Sequence, residues 1–127
     1  MVINTHAYAY TMEMLADGDE LMDKVVEGKG NYIILFMADW CPYCARFKPI
    51  FELYEKRVDG YKFAIAKVNE DDNPLWDIFN LKAVPTIIAF RNGSIVARKD
   101  ARLGIGLSED DMRSLLNELG FRLTNNQ

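Results

Sequence analysis

Two cysteines separated by two residues are the part of this sequence best suited to redox chemistry. Cys41 and Cys44 are the only cysteines among 127 residues. Pro42 is well accepted in the first turn of a helix, so a helix is predicted to begin at Cys41. Side chains three residues apart on a helix have Cβ atoms ~5–6 Å apart, which is close enough for a disulfide. A pair this close in sequence cannot cross-link distant elements, which favours catalysis over a structural disulfide.

The predicted helix start also assigns different roles to the two sulfurs. Unpaired backbone N–H groups at a helix N-terminus stabilise a nearby anion by ~0.3–1 kcal/mol. We therefore expect Cys41 to attack a substrate disulfide as a thiolate. Cys44, one turn deeper, would then attack the mixed disulfide and release the reduced product. This exchange requires no metal and no organic cofactor.

Two other interpretations of the cysteine pair stay open. Buried cysteines can pack as small hydrophobic side chains, or the pair can be half of a zinc site completed by another subunit. The single histidine, His6, is far from the pair in sequence. A four-ligand zinc site within one chain is therefore not expected.

The hydrophobic pattern predicts alternating strands and helices that place the pair at a strand-to-helix junction. The apolar run 32–37 predicts a central strand covered on both faces, and apolar residues at helical spacing continue the helix after Pro42 to residue 54 despite Pro49. Asn92-Gly93 predicts a two-residue hairpin turn, so the sheet should contain both parallel and antiparallel pairs. The other predicted elements are an edge strand or turn over 8–14, a helix over 21–26, strands over 62–68, 86–90 and 94–98, a short helix over 74–79 and a helix over 109–119 after Ser108.

Charge and length exclude several classes of function. The net charge of −4 comes without a basic cluster, so neither nucleic acid nor an anionic membrane is an expected partner. No segment approaches the ~20 apolar residues of a membrane span, and the first residues lack the basic and apolar regions of a secretory signal. We expect a cytoplasmic protein with a single domain over residues 1–127.

Five short motifs resemble the thioredoxin family, and they occur in that family's order. They are FMADWCPYC (36–44), Lys48-Pro49, Lys-Val-Asn (67–69), Val-Pro-Thr (84–86) and Arg-Asn-Gly (91–93). The resemblance covers about residues 21–119. It implies an α/β thioredoxin-like fold, with a central mixed β-sheet flanked by helices. It also implies a thiol–disulfide oxidoreductase that reduces protein disulfides and receives electrons from a thioredoxin-reductase-like donor, and we expect it to act as a monomer.

The same resemblance suggests roles for residues around the cysteines. Trp40 matches an aromatic residue that shields the nucleophile and forms part of the docking surface. Val84 and Pro85 match a cis peptide that lies against the disulfide and exposes backbone to a bound substrate chain. Lys67 matches a lysine near the active site that would influence thiol ionisation, although a solvent-exposed strand lysine is the competing interpretation.

Two departures from the family pattern affect the expected chemistry. The dipeptide Pro42-Tyr43 resembles glutaredoxins, whereas thioredoxins more often have Gly-Pro between the cysteines. Leu35 stands where thioredoxins usually carry a buried aspartate that accepts the proton of the resolving cysteine, so we expect Cys44 to lose its proton through water or Lys67.

These departures leave two alternatives to protein-disulfide reduction. The first is a glutathione-dependent glutaredoxin, although the paired glycines that usually help to bind glutathione are missing after Pro85. The second is an interaction protein that holds a metal or cluster between two subunits.

Overall fold

The computed structural model describes residues 13–14 and 21–122, and the structural statements below concern these residues. The elements in chain order are β1 (Glu13–Met14), a π-helical turn (Met22–Val26), β2 (Asn31–Met37), α1 (Pro42–Glu55), β3 (Lys62–Lys67), α2 (Leu75–Ile78), β4 (Thr86–Arg91), β5 (Ser94–Asp100) and α3 (Glu109–Glu118).

The strands form one mixed sheet with the spatial order β1-β3-β2-β4-β5. Both β1 and β2 run parallel to β3, while β4 is antiparallel to β2 and to β5. β2 is therefore central, and its residues from Tyr32 to Met37 are buried. This confirms the prediction of a strand covered on both faces, because a one-sided strand would alternate buried and exposed residues.

The hairpin between β4 and β5 is confirmed. Asn92 and Gly93 both have positive φ, +50° and +88°, as the favoured two-residue hairpin turn requires. A Cβ on Gly93 would also lie 2.0 Å from the carbonyl oxygen of Val26, so this position needs glycine for space as well. β5 continues two residues beyond the predicted end, and its last residue, Asp100, pairs with Thr86.

Helix α1 begins where the sequence predicts and carries the cysteine pair. Cys41 is the N-cap with extended backbone, Pro42 occupies the first helical position, and the helix continues through Pro49 to Glu55. One face of the helix is buried in the core, namely Cys44, Phe47, Phe51 and Tyr54.

Helix α3 is fixed by its N-terminal cap, as predicted from Ser108. The Asp111 carboxylate accepts a hydrogen bond from the Ser108 backbone N–H at 2.8 Å, which completes a capping box. Tyr54 on α1 donates its hydroxyl proton to Glu109 Oε2 at 2.6 Å, which joins the two helices.

Several other predicted elements also differ in detail. The predicted helix over 21–26 is a π-helical turn over Met22–Val26, and the short helix α2 is restricted to Leu75–Ile78. Of the edge strand or turn predicted over 8–14, only the edge strand Glu13–Met14 is described, and residues 8–12 lie outside the described part. None of the helices in the described segments has the length and apolar character needed to cross a membrane.

Candidate active site

Cys41 and Cys44 lie at the junction between β2 and α1, which confirms the predicted location. Both are free thiols; Cys41 is 6% exposed and Cys44 is fully buried. The backbone N–H of Cys44 donates to Cys41 Sγ at 3.3 Å. The N-terminal sulfur is thus the more accessible one, and it accepts a hydrogen bond from the first turn of the helix.

The segment before β4 approaches the same sulfur from another part of the chain. The peptide bond between Val84 and Pro85 is cis, and the Val84 carbonyl oxygen lies 3.5 Å from Cys41 Sγ. This contact follows from the sheet register, since Thr86 pairs with Phe36 near the end of the strand that leads to Cys41. Val84 therefore contacts the sulfur of Cys41 through its backbone, and the substrate-binding role that the resemblance gives to Val84 and Pro85 stays a prediction.

Burial gives the Cys44 thiol a pKa well above that of an ordinary thiol. Desolvation is the main cause that raises the pKa of Cys44 to about 12; a hydrogen bond with the Ala38 backbone opposes this shift, and the hydrogen bond with Cys41 adds to it. In the reduced protein, Cys44 is therefore a neutral thiol near pH 7.

Trp40 lies next to the nucleophile and is 59% exposed. Its indole N–H donates to the backbone carbonyl of Asn69 at 2.9 Å, which fixes the ring at the surface. An exposed aromatic ring with one anchored edge is suited to contact a bound protein chain.

Lys67 forms an ion pair at the edge of the site. Its Nζ lies 3.1 Å from Asp39 Oδ1, and the side chains of both residues are partly exposed. The Asn69 amide also donates to Asp39 at 2.9 Å, and these two partners, Asn69 first, lower the pKa of the Asp39 carboxyl. The described contact of Lys67 is therefore with a carboxylate, and its proposed part in deprotonating Cys44 stays a prediction.

Leu35 is fully buried in β2, between Ile65 on β3 and Ile87 on β4. Because residue 35 is leucine and its two partners in the sheet are apolar as well, this position supplies no carboxylate that could accept a proton from the resolving cysteine. Among residues 13–14 and 21–122, no group of three or more histidine, cysteine and acidic side chains could hold a metal ion.

Tyr43 packs against a loop that the sequence left uninterpreted. A Cβ on Gly106 would lie 2.9 Å from the Tyr43 Cβ, so the backbone of Gly106 lies directly on this side chain. The guanidinium of Arg46 lies 5.1 Å from the Tyr43 ring centroid and donates to the Ile105 carbonyl oxygen at 2.9 Å. The dipeptide between the cysteines is thus in contact with a second part of the chain.

Four of these site residues were not identified from the sequence: Asp39, Asn69, Arg46 and Gly106. A signal existed for Asp39 and Asn69, because they follow the predicted parallel strands β2 and β3, whose carboxyl ends must meet at one edge of the sheet. No comparable signal existed for the pairing of Arg46 with the loop, which depends on tertiary contacts 59 residues apart.

Comparison with known proteins gives consistent matches. The family model described as Thioredoxin matches residues 13–116. "Thioredoxin, mitochondrial" of Mus musculus is 31% identical over 118 residues, which cover 92% of this chain and 68% of the relative. The rat protein of the same name is 34% identical over 81% of this chain and 60% of its own length. "Thioredoxin" of Rickettsia felis is 31% identical over 65% of this chain and 75% of its own length.

Solved structures confirm the α/β fold. The crystal structure of Chlamydomonas reinhardtii thioredoxin f2 has a TM-score of 0.72 at 21% identity and covers 85% of this chain and 95% of its own. Oxidized mitochondrial thioredoxin 3 from Saccharomyces cerevisiae has a TM-score of 0.68 at 17% identity, covering 87% and 98%. The predicted mixed sheet flanked by helices is therefore the fold that these structures share.

Proposed function

Since the chain belongs to the thioredoxin family and is a thiol–disulfide oxidoreductase, we propose that it reduces protein disulfides with Cys41 as nucleophile and Cys44 as resolving thiol. The observation that carries this proposal is the contrast between the two sulfurs. Cys41 Sγ is the more accessible and accepts the Cys44 N–H at 3.3 Å, whereas Cys44 is fully buried. The outer sulfur is the one that a substrate can reach.

The reaction proceeds in two exchanges. The Cys41 thiolate attacks one sulfur of the substrate disulfide, so that a bond between Cys41 and that sulfur forms, the substrate S–S bond breaks, and the other sulfur leaves as a thiolate that takes a proton from water. Cys44 then gives up its proton and attacks Cys41 Sγ, which releases the second substrate thiolate. The substrate gains two electrons and two protons, and the protein retains a disulfide between Cys41 and Cys44.

The residues around Cys41 would hold the substrate chain. The Val84 carbonyl oxygen lies 3.5 Å from the nucleophilic sulfur, so the backbone next to Pro85 can face a chain bound there. Trp40 offers an exposed ring on the surface beside the nucleophile. Pro42 starts the helix that directs an N–H group to Cys41, and Tyr43 contributes to the same surface. Lys67 does not contact the cysteines in this proposal and acts indirectly, through its ion pair with Asp39.

Membership of the family indicates two general kinds of partner. These are protein disulfides, which are the substrates, and a reductase, which restores the dithiol. The finer proposals are a thioredoxin-reductase-like donor, a monomeric state and one domain over residues 1–127. Sedimentation of the reduced protein tests the monomer, and turnover with such a reductase and NADPH tests the donor.

The compartment is a separate proposal. A cytoplasmic location is consistent with cysteines used for exchange and not for structural cross-links. Three of the relatives are named as mitochondrial thioredoxins. Fractionation of cells that express the protein at its natural level distinguishes the two compartments, and recovery with a mitochondrial marker would contradict the proposal.

The function is tested by reduction of insulin disulfides with a dithiol as electron source. We expect turnover by the natural protein, none by Cys41→Ser, and accumulation of a mixed disulfide on Cys41 in Cys44→Ser, because that variant keeps the nucleophile and lacks the resolving thiol. Stronger turnover with glutathione and its reductase would instead favour a glutaredoxin. Inactivity with both donors would contradict both functions.

A further inference from the structure

The end of the sheet opposite the cysteine pair carries a group of positively charged side chains. Cys41 comes after the last residue of β2, whereas Asn31, the first residue of β2, pairs with Arg91 at the end of β4. A strand of seven residues spans about 23 Å, so the two ends of the sheet are well separated. We call this group the basic pole, and its members are the exposed residues Lys29, Lys56, Arg57, Lys62, Arg91 and Arg122.

Tyr61 brings three members of the pole together. Its hydroxyl accepts a hydrogen bond from Arg91 Nη2 at 2.7 Å, and Lys62 is the next residue in the chain. The ring centroids of Tyr61 and Phe121 lie 5.9 Å apart. Because Arg122 directly follows Phe121, it belongs to the same end of the molecule.

The other three members reach this end through the chain connections. Lys56 and Arg57 directly follow α1, and a short connection leads from them into β3, which begins at this end of the sheet. The Gly30 N–H donates to Asn92 Oδ1 and the Asn92 N–H donates to the Gly30 carbonyl, both at 2.8 Å. Lys29 therefore lies beside the hairpin turn at the same end. The sequence shows no basic cluster because folding is needed to gather these residues.

None of the six side chains of the pole forms an ion pair with a carboxylate of the described residues. Arg57 and Lys62 each lie 5.9 Å from a tyrosine ring centroid, and Arg91 bonds to a hydroxyl. Positive charges gathered without counter-charges repel one another, and they attract anionic groups of a partner. Cations elsewhere in the described chain do pair with carboxylates, namely Lys48, Lys67, Arg98, Lys99 and Arg102.

The charge of the rest of the molecule favours a short anionic partner over an extended one. Only two exposed carboxylates, Glu27 and Asp59, belong to the described segments that carry the pole, so the pole keeps an excess of positive charge. The whole chain has a net charge of −4. A short acidic segment at the pole is screened from distant carboxylates, because the Debye length is about 8 Å at physiological ionic strength. Nucleic acid or an anionic membrane would extend past the pole and meet those carboxylates as well.

The aromatic residues of the pole also argue against nucleic acid. Single-stranded nucleic acid binds where exposed rings stack on its bases beside a positive groove. At the pole, the described rings lie beneath or beside the cations and are buried or half-buried, namely Tyr32, Tyr54, Tyr61 and Phe121. The surface therefore offers positive charge without stacking platforms.

We propose that the basic pole binds an acidic segment of a partner protein, at the end of the molecule that leaves Cys41 free for thiol–disulfide exchange. The interaction goes beyond the proposed reduction of protein disulfides, because it uses none of the residues assigned to that reaction. Carboxylates of the partner supply the counter-charges that the pole lacks. Each exposed pair contributes little, so affinity comes from several pairs to one segment and falls as salt is added.

The test measures the binding of fluorescein-labelled octaglutamate to the reduced protein by fluorescence anisotropy at low ionic strength, with octaglutamine as the uncharged reference. We expect Lys56→Gln combined with Lys62→Gln to weaken binding about fivefold, as for the loss of two exposed ion pairs. Lys48→Gln combined with Lys82→Gln is the matched control, because it changes the net charge equally and lies outside the pole. The control should change the affinity by less than about twofold.

A second measurement locates the bound peptide relative to the cysteines. Saturating octaglutamate should leave the single-turnover reduction of bis(2-hydroxyethyl) disulfide unchanged, because the pole lies at the other end of the sheet. The variant with Lys56→Gln and Lys62→Gln should reduce this disulfide at the natural rate, which also shows that it is folded. Inhibition by the peptide would place it at the active site and overturn the proposal.

The remaining outcomes decide between the pole and other binding modes. The proposal is overturned if octaglutamate binds no more tightly than octaglutamine, or if the two double variants weaken binding equally. Tighter, pole-dependent binding of an oligothymidylate or of anionic phospholipid vesicles would assign the pole to another class of partner and overturn it too. Because the peptide assay needs no insulin reduction, failure of the proposed function would leave the pole in place, and the reverse also holds.

Discussion

At the scale of single residues, the unusual feature of this site is a resolving cysteine that must lose a proton in apolar surroundings. Burial raises the pKa of Cys44 to about 12, and Leu35 in the central strand supplies no carboxylate to accept the proton. Lys67 is engaged with Asp39 at the exposed edge of the site. Transfer to water is therefore the simplest path, and the second exchange is expected to be the slower one at neutral pH.

A carboxylate at position 35 should accelerate that second exchange. We expect Leu35→Asp to release thionitrobenzoate from its mixed disulfide with Cys41 several-fold faster at pH 7, since a nearby base would take the proton of Cys44. The release is coloured and can be followed directly in stopped flow.

Leu35→Asn is the control for this substitution, because it introduces a polar group of the same size that cannot accept the proton as a base. Both variants should lower the free energy of unfolding by about 2–5 kcal/mol, since each replaces a fully buried leucine with a polar side chain. Equal release rates for the aspartate, the asparagine and the natural protein would show that no proton acceptor is missing.

At the scale of elements, the site depends on a loop and a helix that fit closely together. Gly104 and Gly106 in the β5–α3 loop, residues 101–108, both have positive φ, +75° and +78°. A Cβ on Gly104 would meet nothing within 4 Å, whereas one on Gly106 would meet Tyr43 at 2.9 Å. The two glycines therefore share a backbone conformation and differ in their packing, which makes them a matched pair.

Alanine at these glycines should separate backbone strain from packing. We expect Gly104→Ala to lower the free energy of unfolding by about 1 kcal/mol, the cost of a left-handed conformation for a residue with a Cβ. Gly106→Ala should cost about 2–4 kcal/mol, because overpacking against Tyr43 is added to the same strain. Urea unfolding of the three reduced proteins measures both differences. Equal costs would mean that the loop can move off Tyr43 freely.

At the scale of the whole molecule, the buried thiol links stability to pH. The pKa of Cys44 is raised from an ordinary value of 9.0 to about 12 in the folded protein. Between these values the folded state holds a proton that the unfolded state has lost, so stability falls as pH rises. The contribution of the neutral thiol is fully present below about pH 9 and is lost by about pH 12.

Reduced protein should therefore unfold at lower urea concentration at pH 10 than at pH 8, and Cys44 should account for about 1 kcal/mol of the loss. Cys44→Ala removes this titration and leaves the tyrosines and lysines in place, so its stability should fall less over the same interval. A pH dependence identical in both proteins would contradict the predicted titration of Cys44.

Local sequence patterns predicted the parts of the molecule that are determined locally. Pro42 and the apolar residues after it were sufficient to place α1, and Asn92-Gly93 was sufficient to place the hairpin. The contact of Val84 with Cys41 has no local signal, and only the resemblance to a family indicated it. The β5–α3 loop was missed because two glycines and mixed side chains give no periodicity, and its shape depends on packing against Tyr43.

The contacts of Cys41 differ greatly in sequence separation, and this bears on the order in which the site assembles. Cys44 is three residues away, whereas Val84 is 43 residues away. A disulfide between Cys41 and Cys44 closes a loop of four residues. In the chain-entropy relation this closure costs the unfolded chain only about 2 kcal/mol of conformational entropy, so the disulfide can form before most of the protein has folded. Val84 reaches Cys41 only after β4 has joined β2, a long-range step. An unfolded or partly opened chain can therefore still interconvert the dithiol and the disulfide of Cys41 and Cys44. Only the folded sheet also brings Val84, a proposed substrate-binding residue, to the reactive sulfur.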